Sequence, residues 1–161
     1  MAGFGSPTIT ADGATRRIAV VGAQWYPEVT DRMVARATAA LEEHGVRDVT
    51  VVRVPGTFEL PVACRRLADR FDALVALGVV VRGGTPHFDY VCEAATIGLT
   101  QVAVDTGVPI GFGVLTCDDE QQALDRAGLP ESKEDKGYEA GMAVLATLDA
   151  LDAVPAVAPQ R

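Results

Sequence analysis

The chain has 161 residues, the length of a single domain. Hydrophobic residues make up 48% and charged residues 22%, which supplies a sizeable core and excludes a disordered chain. Fourteen Lys and Arg against 22 Asp and Glu leave a net charge of −8, which disfavours nucleic acid and anionic membrane as partners.

Residues 1–16 are small and polar, lack a charged start and an apolar h-region, and read as a flexible arm. From Arg17 onward two hydrophobic periods alternate. Ile18–Gly22 is a short apolar run, a buried strand. Pro27 suits a first helical position, and Glu28 and Asp31 lie near the positive helix end. Val29, Met33, Ala37, Ala40 and Leu41 share one face, and Gly45 supplies a stop. Val49–Val54 is the second strand, broken by Pro55-Gly56, and Thr57 is placed to cap a helix reaching about Arg70. Ala73–Val81 is apolar without alternation, as in a strand covered on both faces, and is too short to cross a membrane. Thr85 then reads as an N-cap and Pro86 as the first helical residue. Phe88, Val91, Cys92, Ala95, Leu99 and Val102 keep the face of that helix. Ile110–Leu115 is the fourth strand and Asp119–Ala127 a short helix ended by Gly128. Asp135–Leu151 is the last helix, with a stripe of Val144, Leu145, Leu148 and Leu151. Four strand–helix alternations predict a three-layer α/β fold, a parallel sheet with helices on both faces. Residues 17–152 form the one domain, and residues 153–161 a tail.

In open parallel sheets ligands bind beyond the carboxyl ends of the strands, so the residues there are the candidates. After the first strand stands Trp25, the only tryptophan, either a platform for a planar heterocycle or an ordinary core or interface residue. After the second, Glu59 either accepts hydrogen bonds from a substrate or simply matches the helix dipole. After the third comes Arg82-Gly83-Gly84-Thr85-Pro86-His87-Phe88-Asp89-Tyr90. Two glycines let the backbone approach an anion, a helix start adds N–H donors, and Thr85 adds a hydroxyl. His87 offers an imidazole able to accept a proton; the plainer alternative is a turn with a solvent-facing histidine. Phe112, inside the fourth strand, reads as core, and Arg126 as a helix-end cation. Lys136 is one of only two lysines. Cys64, Cys92 and Cys117, an odd number without CxxC spacing, read as reduced thiols, and no metal site is expected. These residues alone describe a cytoplasmic α/β enzyme for a small phosphorylated substrate, with His87 as acid/base.

Val54-Pro-Gly-Thr-Phe-Glu-Leu-Pro61 followed by Gly78-Val-Val-Val-Arg-Gly-Gly-Thr-Pro-His-Phe-Asp-Tyr-Val91 closely resembles the lumazine synthase family. Gly113-Val-Leu-Thr116, Glu120-Gln121, Asp125-Arg-Ala-Gly128 and Asp135-Lys-Gly137 extend the match, in order, from about Arg17 to Leu151. The resemblance implies a flavodoxin-like core with a four-stranded parallel sheet and sites shared between neighbouring subunits. It implies condensation of 5-amino-6-(D-ribitylamino)uracil with 3,4-dihydroxy-2-butanone 4-phosphate, the penultimate step of riboflavin biosynthesis, with no metal or organic cofactor. It matches Trp25 to the residue stacking on the pyrimidine, where many members carry Phe. Thr57, Phe58 and Glu59 match the segment holding the ribityl chain and ring, and Val79, Val80 and Val81 the strand end lining the pyrimidine pocket. Gly84 and Thr85 match the phosphate cradle, with Arg126 reaching in from a neighbouring subunit. His87 matches the acid/base residue, Phe112 the position from which the neighbour closes the pocket, and Lys136 a nearby lysine.

Two other readings stay open: a riboflavin synthase of the same fold, which needs no phosphate cradle, and a scaffold that binds flavins or lumazines without turnover. The family assembles as pentamers that stand alone, pair, or close into a 60-subunit shell. Here the linker between Arg126 and Lys136 is longer than the compact form typical of shell formers, is stiffened by Pro130, and carries Glu131, Glu134 and Asp135. Bulk and like-charge repulsion together predict an isolated homopentamer.

Overall fold

In the computed structural model, which describes residues 5 and 7–155, four strands and five α-helices alternate. They run β1 (Arg17–Ala23), α1 (Pro27–Glu43), β2 (Asp48–Val54), α2 (Leu60–Leu67), β3 (Ala73–Val81), α3 (His87–Thr106), β4 (Ile110–Cys117), α4 (Glu120–Leu124) and α5 (Lys136–Asp152). All strand pairs are parallel, in the order β2-β1-β3-β4. The central strands are sealed on both faces, which is why β3 reads as unbroken Val, Leu and Ala. Ile18, Val20, Val75 and Leu77 face α1 and α5, whereas Ala19, Val21, Leu74 and Ala76 face α2 and α3. The order reverses between β1 and β3, so their carboxyl ends diverge into a crevice. This is the flavodoxin-like arrangement.

The helices follow the apolar faces expected of them, with four corrections. Thr57 does not cap: it lies in a 3₁₀ turn (Thr57–Glu59), is buried, and donates its hydroxyl to the Val79 carbonyl at 3.2 Å. The long second helix is α2 extended by that turn and by a second one, Ala68–Arg70. Thr85 does not cap α3 either. Pro86 takes the cap position, its carbonyl accepting from Asp89 N at 3.0 Å, so His87 is the first helical residue. Leu151 is 57% exposed, because the last turn of α5 meets the polar stretch Asp12–Arg16 instead of the core. Asp119 and Asp135, by contrast, cap α4 and α5 by accepting from Gln122 N and Tyr138 N.

Of the stretch read as an arm, Ile9 and Ala11 pack on the α1–α5 layer, and Arg16 pairs with Asp149 and Asp152 at 3.5 and 2.6 Å. Residues 1–4 and 6, and residues 156–161 of the tail, lie outside the described residues. The three cysteines are unpaired, and burial pushes the Cys64 thiol up to about 12. Among the described residues no helix is long and apolar enough to cross a membrane.

The α1–α5 contact depends on Gly137. A Cβ there would stand 2.4 Å from the Met33 carbonyl oxygen and 2.9 Å from the Met33 Cα, backbone atoms that cannot swing aside. Alanine in an open helix position gains about 1 kcal/mol over glycine. Forcing the helices apart costs about 1–3 kcal/mol. Gly137→Ala is therefore expected to lower stability, read as a lower urea midpoint at unchanged slope; a raised midpoint would contradict the packing.

Candidate active site

Four chain segments converge beyond the carboxyl ends of β1, β2 and β3. They enclose a cleft of about 530 Å³, within the range of small-molecule sites. The β1–α1 turn contributes Trp25 and Tyr26, and the β2–α2 turn contributes Gly56, Thr57, Phe58 and Glu59. The end of β3 contributes Val79, Val80 and Val81, and the start of α3 contributes His87 and Val91. Gly56 makes room for the Trp25 and Glu59 side chains. A Cβ on it would lie 3.0 Å from Glu59 Oε2 and 3.4 Å from Trp25 Cδ1. Thr57, pinned to the Val79 carbonyl, locks the β2–α2 turn onto β3. Trp25 and Phe58 are 68% and 61% exposed, so two aromatic faces stand at the mouth with little protein over them. An exposed tryptophan is no core residue, which leaves a platform for a heterocycle or an interface residue as the readings of Trp25.

Because the proline at the cap has no side-chain acceptor, the N–H groups of His87 and Phe88 stay uncapped, while Asp89 N donates to the Pro86 carbonyl; with the open turn before them they make an anion-binding arrangement. Gly84 and Thr85 lie in that turn, exposed, beside His87 but outside the cleft wall. A Cβ at Gly84 would meet nothing within 4 Å, so the space there is open. Arg82 braces the turn from below. Its guanidinium bonds Asp118 at 2.8 Å and Asp89 at 3.2 Å and lies 4.1 Å from the Phe88 ring centre. The Asp118 bond foremost, then the Asp89 bond, raise its already high pKa.

Phe112, Arg126 and Lys136 do not line this cleft. Phe112 is 48% exposed on a shallow groove between α3 and β4, with Leu99 and Val104. Its expected place in the core is corrected: β4 is an edge strand, and α3 leaves that position half exposed. Arg126 and Lys136 are brought together by the linker, which folds back on itself. Ala127 and Asp135 form an antiparallel bridge, and Lys136 N donates to the Arg126 carbonyl at 3.0 Å. Arg126 Nη1 donates to the Gln122 carbonyl at 2.9 Å, and Nε stands 3.9 Å from Glu134. Lys136 Nζ lies 2.7 Å from Glu134 and 2.6 Å from Glu139. Burial works to lower the Lys136 pKa, but the bonds to Glu134 and Glu139 outweigh it and leave it raised. Asp135 meanwhile pairs with Arg36. The charges of Glu134 and Asp135 are thus paired inside the chain, with Lys136 and Arg36.

Tyr26, Gly56 and Val91 are cleft residues that the sequence did not single out. Tyr26 adopts φ 56°, a left-handed conformation a bulky residue holds only under constraint, and strain of this kind gathers at functional sites. Its one sequence sign is the following proline, which already restricts the backbone before it.

The class these features define is a three-layer α/β protein of flavodoxin-like order, with an aromatic-mouthed cleft at its switch point and a histidine on the rim. Residues 15–152 match the family model described as 6,7-dimethyl-8-ribityllumazine synthase. Proteins of that name from Kineococcus radiotolerans and Cutibacterium acnes are 65% and 60% identical, over 96% and 98% of this chain and 96% and 95% of their own. The Streptomyces coelicolor protein of that name is 56% identical over 96% of this chain and 97% of its own length. The chain belongs to the 6,7-dimethyl-8-ribityllumazine synthase family, and it is an enzyme.

Proposed function

We propose that the cleft condenses 5-amino-6-(D-ribitylamino)uracil with 3,4-dihydroxy-2-butanone 4-phosphate, giving 6,7-dimethyl-8-ribityllumazine, phosphate and water in riboflavin biosynthesis. The observation that carries this reading is the convergence of Trp25, Thr57, Phe58, Glu59, Val79, Val80, Val81 and His87 on one cleft. Trp25 stacks on the pyrimidine, and Thr57, Phe58 and Glu59 receive the ribityl chain and ring edge. Val79, Val80 and Val81 line the pocket floor. Gly84, Thr85 and the uncapped N–H groups of His87 and Phe88 hold the phosphate. His87 moves protons during imine formation, phosphate elimination and ring closure, steps that otherwise ask only for positioning. Arg126 completes the phosphate site and Phe112 closes the pocket, both from a neighbouring copy, with Lys136 near them; that none of them lines the cleft of their own chain supports this division. The three unpaired thiols support a cytoplasmic setting.

Product analysis tests the reaction. Both substrates together should give the lumazine faster than without protein. Lumazine supplied alone and turned into riboflavin would instead indicate the riboflavin synthase chemistry.

The assembly we propose is a homopentamer with its sites between subunits. Val104, Ile97 and Phe112, 76%, 56% and 48% exposed, form an apolar face on α3 and β4 suited to a second copy. The folded-back linker, with Pro130 and Glu131 exposed at its tip, adds bulk where larger shells would close. Sedimentation velocity is expected to give one species near 85 kDa, five times 16.9 kDa. A dominant species of about 1 MDa, sixty chains, would contradict the isolated pentamer.

A further inference from the structure

Arg53 lines no part of the cleft, yet its whole guanidinium is committed to the turn that carries Trp25. It pairs in register with Gly22, one residue before β2 ends. Nε donates to the Gly22 carbonyl at 3.2 Å and Nη2 to the Ala23 carbonyl at 2.8 Å. Nη1 reaches Asp31 Oδ1 on α1 at 2.6 Å. One side chain thereby ties the exit of β1 to β2 and to α1. The far end of the turn is fixed as well. The Tyr26 carbonyl accepts from Val29 N at 3.0 Å, Thr30 N at 2.9 Å and the hydroxyl of fully buried Thr30 at 3.2 Å. Between these anchors Gln24 N donates to the Pro55 carbonyl at 3.3 Å. Trp25, largely exposed, has little packing of its own to hold it, so the backbone on either side sets where the indole stands. Tyr26, in its left-handed conformation, would relax if either anchor were released.

We propose that Arg53 is a positioning residue for Trp25: by clamping the end of β1 it holds the strained turn so that the indole stands over the pyrimidine subsite. The functional half of this rests on the reading of Trp25 as the stacking residue. A guanidinium suits the task because its planar fork spans two successive carbonyls and a carboxylate at once, whereas an ammonium satisfies only part of the set.

Trp25 is the only tryptophan of the chain, so its fluorescence and near-ultraviolet circular dichroism report the turn without any ligand. Arg53→Met keeps the aliphatic stem and removes all three bonds. It is expected to leave far-ultraviolet dichroism unchanged, make Trp25 emission more quenchable by acrylamide, and abolish the near-ultraviolet tryptophan band. The KM for the ribitylaminouracil should rise about 10-fold, with kcat and the KM for the butanone phosphate within about twofold. Arg53→Lys should recover part of each change. A folded Arg53→Met variant with parental Trp25 signals would overturn the proposal. Should Arg53→Met fail to fold, Asp31→Ala removes the acceptor on α1 and frees the guanidinium from that helix alone; increased quenching supports the clamp and parental quenching overturns it. Trp25→Ala with an unchanged KM for the ribitylaminouracil would remove the stacking reading, while the spectroscopic outcome would still decide the clamp.

Discussion

His87→Ala is expected to lower kcat about 10²–10⁴-fold while the affinity for the ribitylaminouracil stays near that of the parent. A general acid/base contributes in the transition state, where protons move, and little to ground-state binding. The pyrimidine subsite we propose is made by other cleft residues, Trp25, Phe58 and the β3 end, which the substitution leaves in place. Stability should hold too, because His87 is exposed at the first residue of α3 and its removal opens no core cavity. Steady-state kinetics with a separate binding titration separates the two effects. A variant that folds, binds and turns over like the parent would take the acid/base role away from His87.

Arg126→Ala is expected to raise the KM for the butanone phosphate about 10–150-fold, the worth of a charge-assisted hydrogen bond of about 1.5–3 kcal/mol. The guanidinium is held ready by the Gln122 carbonyl and by Glu134, so it is preorganised before any phosphate arrives. Lys136 lies beside it on the same folded-back linker but is paired with Glu134 and Glu139, so it does not replace the lost charge. The KM for the ribitylaminouracil should not move. Equal weakening of both substrates would mean that Arg126 supports the α4 end and not the phosphate.

Legibility in the sequence varied with how local the determining physics is. β3 was readable to its boundaries, because a strand buried on both faces needs an unbroken apolar run and nothing else nearby had one. The apolar face of α1 was readable for the same reason, each of its residues being decided by the 3.6-residue period. Thr57 and Thr85 were misread as caps because threonine before a helix is a good cap only when no tertiary partner competes. The Val79 carbonyl claimed the first, and Pro86 displaced the second. Leu151 sat on the right stripe but beyond the layer that could bury it, a fact of chain ends and not of periodicity. For the site, strand-end position alone located Trp25, Glu59 and His87. The pairing of Arg126 with Lys136 could not be read, since the bridge between Ala127 and Asp135 closes a linker with no strand pattern. Arg53 was equally hidden: it looks like a polar residue in an edge strand until its three acceptors are seen.

Mixing the two impaired variants tests the proposed shared site most directly. Co-expressed or co-refolded His87→Ala and Arg126→Ala chains place an intact His87 opposite a neighbour's intact Arg126 at about a quarter of the interfaces in a random ring. At butanone phosphate well below the parental KM, lumazine formation should therefore recover toward about a quarter of the parental rate, above either variant alone. A mixed assembly no faster than its two parents would mean that both side chains must belong to one chain, and would contradict a site built between subunits.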